Sequence, residues 1–328
     1  MNVSAVPTRD FFDGNFYYSI ISSINLKIIS PIDRATYSGI KTIPDTYTVN
    51  GIKYNITEID NGAFSGCTGL KEIRFNQKIK KIPLNAFNGC TGLTTIVFSD
   101  KITQIGESAF QGCTRLESIT FSESLTSIGK NSFKGCTKIS TLKLPFSLQS
   151  LGEGAFQNCS NLRSLRIYEN CNTFGIHMFC GCTSLSNIYS YNSTPADFCT
   201  KSEENQYLHC YFDDATYNTC ALRVPIGLQN TYRSRYGWRK FKNIYETISG
   251  IQEITTESDA IRISSSTSRT IRVNGLLGKE TISCYDLKGV LLKQCDAAGQ
   301  EANLTLDVPS GTVILVKVND RTKKVILL

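Results

Sequence analysis

Cysteine is the residue type in this sequence with the widest chemical repertoire, because a thiolate can act as a nucleophile, bind a metal ion or form a disulfide bond. The 328 residues include 13 cysteines but only two histidines. Six of the cysteines stand 23 residues apart, namely Cys67, Cys90, Cys113, Cys136, Cys159 and Cys182. Whether this series performs chemistry depends on where a strict 23-residue period places it in the fold.

Apolar residues share the period of the cysteines. A phenylalanine precedes each of the six cysteines by three residues, and a leucine or isoleucine follows each by three. A short alternating segment, which includes Ile119 and Phe121, predicts a strand in every unit. One such unit cannot bury its apolar side alone, whereas stacked units bury a continuous core. The sequence therefore predicts a β-rich solenoid of the leucine-rich repeat type, for which units of about 20–29 residues are usual.

The cysteine series would form a straight row inside such a solenoid. Stacked side chains in register lie about 4.8 Å apart, whereas bridged cysteines need Cβ atoms roughly 3.5–4.5 Å apart. A straight row also cannot surround a metal ion tetrahedrally. Unpaired cysteine packs as a small apolar residue. We therefore predict six free thiols in a structural core ladder, with no catalytic residue, metal site or cofactor in this chain.

Cysteines outside the series have other expected environments. Cys180 takes a repeat position that is polar elsewhere, so we expect it to be exposed. The alternatives for the cysteines at the end of the array are a disulfide bond in an oxidising compartment or reactive thiols, and the residues concerned are Cys180, Cys199, Cys210 and Cys220. His177 precedes Cys180 by three residues, but no third group is in place to orient the pair.

The chain divides into four segments. Residues 1–60 predict a β-rich N-terminal cap, with a hairpin at Asn50-Gly51. Residues 61–190 hold the six repeats, and residues 191–247 form an irregular C-terminal cap with a last strand. Residues 248–328 contain short alternating segments between turns, which predict a small all-β sandwich of the Ig-like kind.

Outward positions on the repeat strands predict a polar face. Solenoids use such extended faces for recognition, although a solvated face without a ligand is the alternative. The net charge of +7 favours acidic partners only weakly. The candidate ligand-binding residues are Arg74, Thr95, Val97, Ser118, Thr120, Thr141, Lys143, Ser164, Arg166, Asn187 and Tyr189.

The repeat unit I-G-x-x-A-F-x-x-C-x-x-L resembles that of the BspA-like leucine-rich repeat proteins, also called the Treponema type. The flanks DGNFYYSI, LRVPIGLQNTY and WRKFKNIYE are similar to those of this family. The resemblance implies secreted or surface-displayed, non-enzymatic proteins of host-associated microbes that adhere to host matrix proteins or to other cells. The tail, with YDLKGVLLKQ and VPSGTVILVKVNDRTKKVIL, resembles the C-terminal sorting-type β-domain of bacterial proteins exported by the type IX route.

The sequence as a whole thus predicts a non-catalytic protein outside the cell or on its outer surface. Its expected partners are host or microbial surface proteins or glycans, and the open alternative is a structural scaffold or self-assembling spacer. A basic cluster at 233–242 is better explained by the cap than by nucleic acid. No apolar run is long enough for a transmembrane segment. Residues 1–10 lack the apolar region of a signal peptide.

Overall fold

The computed structural model describes most of the chain in two compact units, Met1–Glu246 and Thr247–Leu328. Strands predominate in both, and the helices among the described residues are short. The described residues are 11–117, 119–197, 211–247, 262–265, 270–274, 279–285, 291–297, 299, 301–308, 313–318 and 321–326.

The described strands of the first unit are β1 (Phe11–Phe12), β2 (Tyr17–Ile20), β3 (Asn25–Ile29), β4 (Gly39–Thr42), β5 (Thr46–Val49), β6 (Ile52–Ile59), β7 (Leu70–Arg74), β8 (Lys81–Ile82), β9 (Thr95–Val97), β10 (Gln104–Ile105), β11 (Ser127–Ile128), β12 (Thr141–Lys143), β13 (Ser150–Leu151), β14 (Ser164–Ile167), β15 (Thr173–Phe174), β16 (Asn187–Ser190), β17 (Ala221–Pro225) and β18 (Asn243–Thr247). The described helices are Asp214–Thr219 and Gln229–Ser234, with 3-10 turns at Arg34–Thr36 and Trp238–Lys240. Within the described residues, no helix has the length and apolar character needed to span a membrane.

The N-terminal cap is a five-stranded sheet in the order β1-β2-β3-β6-β5. Its β5–β6 hairpin closes with Val49 opposite Ile52. Between them, Asn50 and Gly51 have φ angles of 49° and 80°, which is the left-handed pair that a type I′ turn requires. The cap therefore ends in the hairpin that the Asn-Gly dipeptide predicts.

Two sets of parallel strands form the repeat array. One set comprises the sheet β4-β7-β9 and the strands β12-β14-β16-β17, beside which β18 follows next to β17, and the other set is β8-β10-β11-β13-β15. Parallel partners within the repeats are 23 residues apart, as in the pairing of Thr141 with Ser164 and of Lys81 with Gln104. Equivalent residues of successive repeats consequently lie side by side.

The core of the array contains a stack of phenylalanine rings. From Phe64 to Phe179, neighbouring ring centroids lie 4.7–5.7 Å apart. This spacing is close to that of neighbouring strands, about 4.8 Å, so that one ring fills each repeat. Tyr37 of the N-terminal cap continues the stack at 4.7 Å from Phe64, and Phe212 continues it at the other end at 5.3 Å from Phe179.

The C-terminal cap closes the array with aromatic side chains. Tyr232 and Trp238 are buried, and their rings lie 5.1 Å apart. The Tyr232 hydroxyl donates to the carbonyl oxygen of Asn192 at 2.8 Å, and the Trp238 indole nitrogen donates to that of Ala196 at 2.9 Å. Both aromatic residues therefore cover apolar core while their polar atoms are satisfied.

The second unit contains β19 (Arg262–Ser265), β20 (Thr270–Asn274), β21 (Thr281–Tyr285), β22 (Leu291–Asp296), β23 (Glu301–Thr305), β24 (Val313–Val318) and β25 (Arg321–Ile326). Its antiparallel sheets have the orders β19-β20-β23 and β22-β21-β24-β25. Residues of both sheets, including Val273, Ile282 and Leu304, meet in one buried apolar cluster. Cys284 lies opposite Lys293, and both cysteines of this unit are free.

Candidate functional site

The outward strand positions form a column across the repeats. Arg74 lies beside Val97, and Val97 lies beside Thr120. In the other sheet, Arg166 pairs with Lys143 on one side and with Tyr189 on the other. Tyr189 is partly exposed and the other members are exposed, listed by rung as Arg74, Val97, Thr120, Lys143, Arg166 and Tyr189.

A second column of polar residues runs beside the first. Thr141, Ser164 and Asn187 are aligned by the parallel pairing of β12, β14 and β16, and Thr95 is aligned with Glu72. These side chains are exposed or partly exposed. The structure thus brings the predicted face residues into two adjoining columns, apart from Ser118, which lies outside the described residues.

The two ends of this face differ in charge. At the N-terminal end, the Arg74 guanidinium forms an ion pair with the carboxylate of Glu72. At the other end, the Arg166 guanidinium lies 5.5 Å from the centre of the Tyr189 ring. The N-terminal cation is thus paired with an anion, whereas the C-terminal one contacts an aromatic ring.

Two residues of the C-terminal cap extend that end of the face. The Arg223 guanidinium lies 5.7 Å from the Tyr189 ring and 5.9 Å from the Tyr245 ring. We call Arg166, Tyr189, Arg223 and Tyr245 the basic-aromatic row. Sequence analysis missed Arg223 and Tyr245 because they follow the interruption of the 23-residue period. The alternating segment CALRVPIG was the available signal, since it makes residue 223 an outward position.

The six-cysteine series is buried and unpaired. Its thiols also make a contact that sequence analysis missed, because each of the last five donates to the carbonyl oxygen of the phenylalanine in the preceding repeat. Cys90 Sγ lies 2.9 Å from the oxygen of Phe64, and Cys113 Sγ lies 3.3 Å from that of Phe87. The thiol is a weak donor, but it is a donor that an aliphatic side chain would not supply.

Burial makes these thiols unreactive. It raises the pKa of the Cys90 thiol to about 12 and the pKa of Cys113 well above its ordinary value. The thiolate is the reactive form of cysteine, so Cys90 and Cys113 carry almost no thiolate at neutral pH. The cysteines serve as packing groups and carbonyl partners.

Cys180 differs from the exposed residue that the repeat pattern predicts. Only 5% of it is exposed, and it is disulfide-bonded. The cap covers this repeat: Tyr211 accepts a backbone hydrogen bond from Phe179 at 3.0 Å, and the Asp213 carboxylate accepts one from Gly181 at 2.8 Å. His177 Nδ1 lies 3.7 Å from the Cys180 sulfur, but a sulfur held in a disulfide cannot act as a nucleophile.

Cys220 also departs from the sequence-based alternatives of a disulfide or a reactive thiol. It is free and buried, and burial raises its pKa to about 12. The reason is its place immediately before β17, where the chain returns to the core of the array. Cys199 and Cys210, the other two cysteines of this group, lie outside the described residues.

Thiol labelling checks these assignments. We expect a maleimide to modify Cys295, which is partly buried, well before Cys113 in the native protein. Cys180 should become labelled only after a reductant is added. Peptide mass spectrometry of native, reduced and denatured samples measures each site, and the denatured sample is the control for intrinsic reactivity. Rapid native labelling of Cys113 would contradict its burial in the core.

The capped solenoid, its stacked core and its exposed parallel sheet define the class of this protein as an end-capped leucine-rich repeat protein. The chain belongs to the family described as the BspA type leucine rich repeat region, whose model matches it in six copies over residues 11–121, 46–145 and 80–197.

Several solved structures resemble the chain, among them structures of leucine-rich repeat proteins. The T. pallidum protein TpLRR is 25% identical, with a TM-score of 0.45 over 54% of this chain and 91% of that one. A leucine rich cell surface protein from Faecalibacterium prausnitzii is 20% identical, with a TM-score of 0.47 over 68% and 72% of the two chains. The pneumococcal vaccine antigen PcpA is 14% identical, with a TM-score of 0.36 over 73% and 99%. No curated protein matches the chain.

Proposed function

We propose that this chain is a non-catalytic, secreted or surface-displayed protein that binds host or microbial surface proteins or glycans. The observation that carries the proposal is the register of the exposed face, in which Lys143, Arg166 and Tyr189 stand on neighbouring strands. Membership of the BspA-type family supports a role in surface interactions. Parallel sheets usually have both faces buried. The outward face of this sheet is exposed or partly exposed and is therefore available to a partner.

The rigidity of the array suits recognition. Each repeat is joined to the next by backbone hydrogen bonds on both sets of strands and by the phenylalanine stack. The outward side chains are consequently held at a regular spacing of about 4.8 Å across the strands. Because the backbone of this face is already ordered before a partner binds, little of the binding free energy is spent on ordering it.

The second unit has a separate task in this proposal. We assign export or surface anchoring to it, as the sequence of the tail suggests. Two antiparallel sheets that share one apolar cluster are compatible with a small Ig-like sandwich of the sorting type.

The proposed face is tested by removing its column as a set. We expect alanine at Arg74, Lys143, Arg166 and Tyr189 together to weaken binding to a matrix protein or glycan, identified in an array screen, by more than tenfold. The reason is that these side chains supply the charges and the aromatic ring of the face. Surface plasmon resonance measures affinity, and circular dichroism checks the fold.

The matched control changes the other set of strands. Alanine at Lys81, Gln104 and Thr173, which are exposed on β8, β10 and β15, should leave affinity within twofold. Equal losses in both variants would contradict the assignment of binding to this face. Concentration-dependent assembly of the wild-type protein in sedimentation velocity, with no ligand found in the array screen, would favour the scaffold alternative.

A further inference from the structure

The basic-aromatic row places one side chain on each of four adjacent strands. Arg166, Tyr189, Arg223 and Tyr245 belong to β14, β16, β17 and β18, which neighbour one another in that order. Because β14 and β17 flank β16, the two guanidinium groups approach the Tyr189 ring from opposite sides. Two strand steps separate the arginines, or about 10 Å at the usual strand spacing.

The arginines of this row lack anionic partners among the described residues. The described ion pairs involve neither Arg166 nor Arg223. The Arg223 Nη2 atom lies 3.5 Å from the Asn187 amide oxygen, while its Nε atom is shielded from water without a hydrogen-bond partner. A guanidinium held in this way has lost hydration without gaining a counter-charge, so an anion bound there would restore favourable pairing.

The neighbouring side chains favour a sugar over a peptide. Beside the row run the hydroxyl and amide groups of Thr141, Ser164 and Asn187, which can exchange hydrogen bonds with sugar hydroxyls. Protein interfaces generally centre on apolar or aromatic anchors in desolvated pockets, whereas these three side chains are polar and exposed or partly exposed. Tyr245 is 49% exposed, and it offers ring surface to the C–H face of a sugar.

We propose that the basic-aromatic row binds an acidic polysaccharide. Arg166 and Arg223 pair with its carboxylate or sulfate groups, and Tyr245 lies against a sugar ring. Lys143, one strand beyond Arg166, extends the cationic row to a third position. This inference rests on the proposed function because it specifies the ligand class for one end of the same face.

Biolayer interferometry on the full chain tests this assignment. The immobilised probes are heparin, which carries sulfates and carboxylates, hyaluronan, which carries carboxylates alone, and dextran, which is neutral. We expect binding to heparin, hyaluronan or both, and we expect the affinity to fall at least tenfold when salt is raised from about 50 to 200 mM. Over the same salt range, proteins that make about six to ten ionic contacts with nucleic acid lose about 10³–10⁵-fold in affinity. The preferred probe distinguishes sulfate from carboxylate as the recognised group. Binding to dextran with equal affinity would overturn the proposal.

Paired variants locate the site. Arg166→Ala/Arg223→Ala should weaken acidic polysaccharide binding more than tenfold, and Tyr245→Ala about threefold. The matched control Lys80→Ala/Lys81→Ala removes the same charge from exposed positions at and next to β8, in the other set of strands, and should change affinity by less than twofold. Equal losses in the two double variants would mean non-specific attraction and would overturn the site. Thermal melting followed by circular dichroism verifies that each variant is folded.

Three further outcomes separate the alternatives. If poly-glutamate binds as tightly as the acidic polysaccharides and with the same loss in Arg166→Ala/Arg223→Ala, the row binds acidic peptide and the sugar assignment is wrong. If neither polysaccharide binds while the four-residue face variant still loses a protein ligand, this inference fails and the proposed function survives. If neither Arg166→Ala/Arg223→Ala nor the four-residue face variant weakens the binding of any ligand, the face is not the binding surface and both proposals fail.

Discussion

Phe133→Ala is expected to reduce the free energy of unfolding of the repeat unit by about 3–5 kcal/mol, the usual range for truncating a buried phenylalanine. The Phe133 side chain is fully buried. Its ring lies 5.1 Å from the ring of Phe110 and 5.1 Å from that of Phe156, nearly parallel to both. The ring of Phe121 meets it edge-on at 5.7 Å. One substitution therefore opens a cavity against three aromatic neighbours.

The Phe133 prediction is checked by urea unfolding. Fluorescence of Trp238, the one tryptophan of the chain, reports on the C-terminal cap, while circular dichroism reports on the strands. The control is Phe146→Ala, because Phe146 is 39% exposed. This substitution should reduce the free energy of unfolding by less than about 1.5 kcal/mol. Repeats contact only their neighbours, so loss of the two signals at different urea concentrations would indicate that the array divides at the altered repeat. If Phe133→Ala reduced the free energy of unfolding by less than about 1 kcal/mol, the phenylalanine stack would contribute little to stability.

Gly152→Ala is expected to reduce the free energy of unfolding by about 3 kcal/mol or more, at the upper end of the range for overpacking. A Cβ atom on Gly152 would lie 2.6 Å from both the carbonyl carbon of Gly129 and the backbone nitrogen of Lys130. Backbone atoms cannot move aside as a flexible side chain can. The methyl group would therefore push apart the two repeats that the hydrogen bond from Gly152 N to the Ile128 oxygen, at 2.8 Å, holds together.

A nearby exposed position provides the control for Gly152. Gln149→Ala removes a side chain from the same repeat on its solvent side and should change stability by less than about 0.5 kcal/mol. Thermal unfolding of the two variants and the wild type measures the difference. A Gly152→Ala protein as stable as the control would show that the repeats can separate locally at little cost, contrary to the close backbone approach.

The periodic part of the chain is predictable because each repeat meets only copies of itself. A fixed 23-residue step brings Phe110 next to Phe133 and Thr141 next to Ser164 whatever the detailed path of the chain between them. The Asn50-Gly51 hairpin is predictable for a different reason, since its left-handed φ angles are a local property of those two residues. The sequence therefore predicts contacts that are either local or repeated along the array.

The interruption of the period marks the limit of such prediction. Cys180 looks like an exposed position when it is aligned with other repeats, yet the cap covers it. The cap is a single element without a copy elsewhere in the chain. Its position over the last repeat depends on contacts such as that of Asp213 with Gly181, which no spacing in the sequence indicates.

The sequence by itself determined the solenoid, the buried cysteine series and the columns of outward side chains, because a regular period translates directly into stacking. The tertiary structure alone decided that Arg223 and Tyr245 join Tyr189 in one basic-aromatic row. Those residues are brought together by the return of the chain through β17 and β18 after an irregular segment. Their meeting depends on long-range packing of the cap, for which the repeat period carries no information.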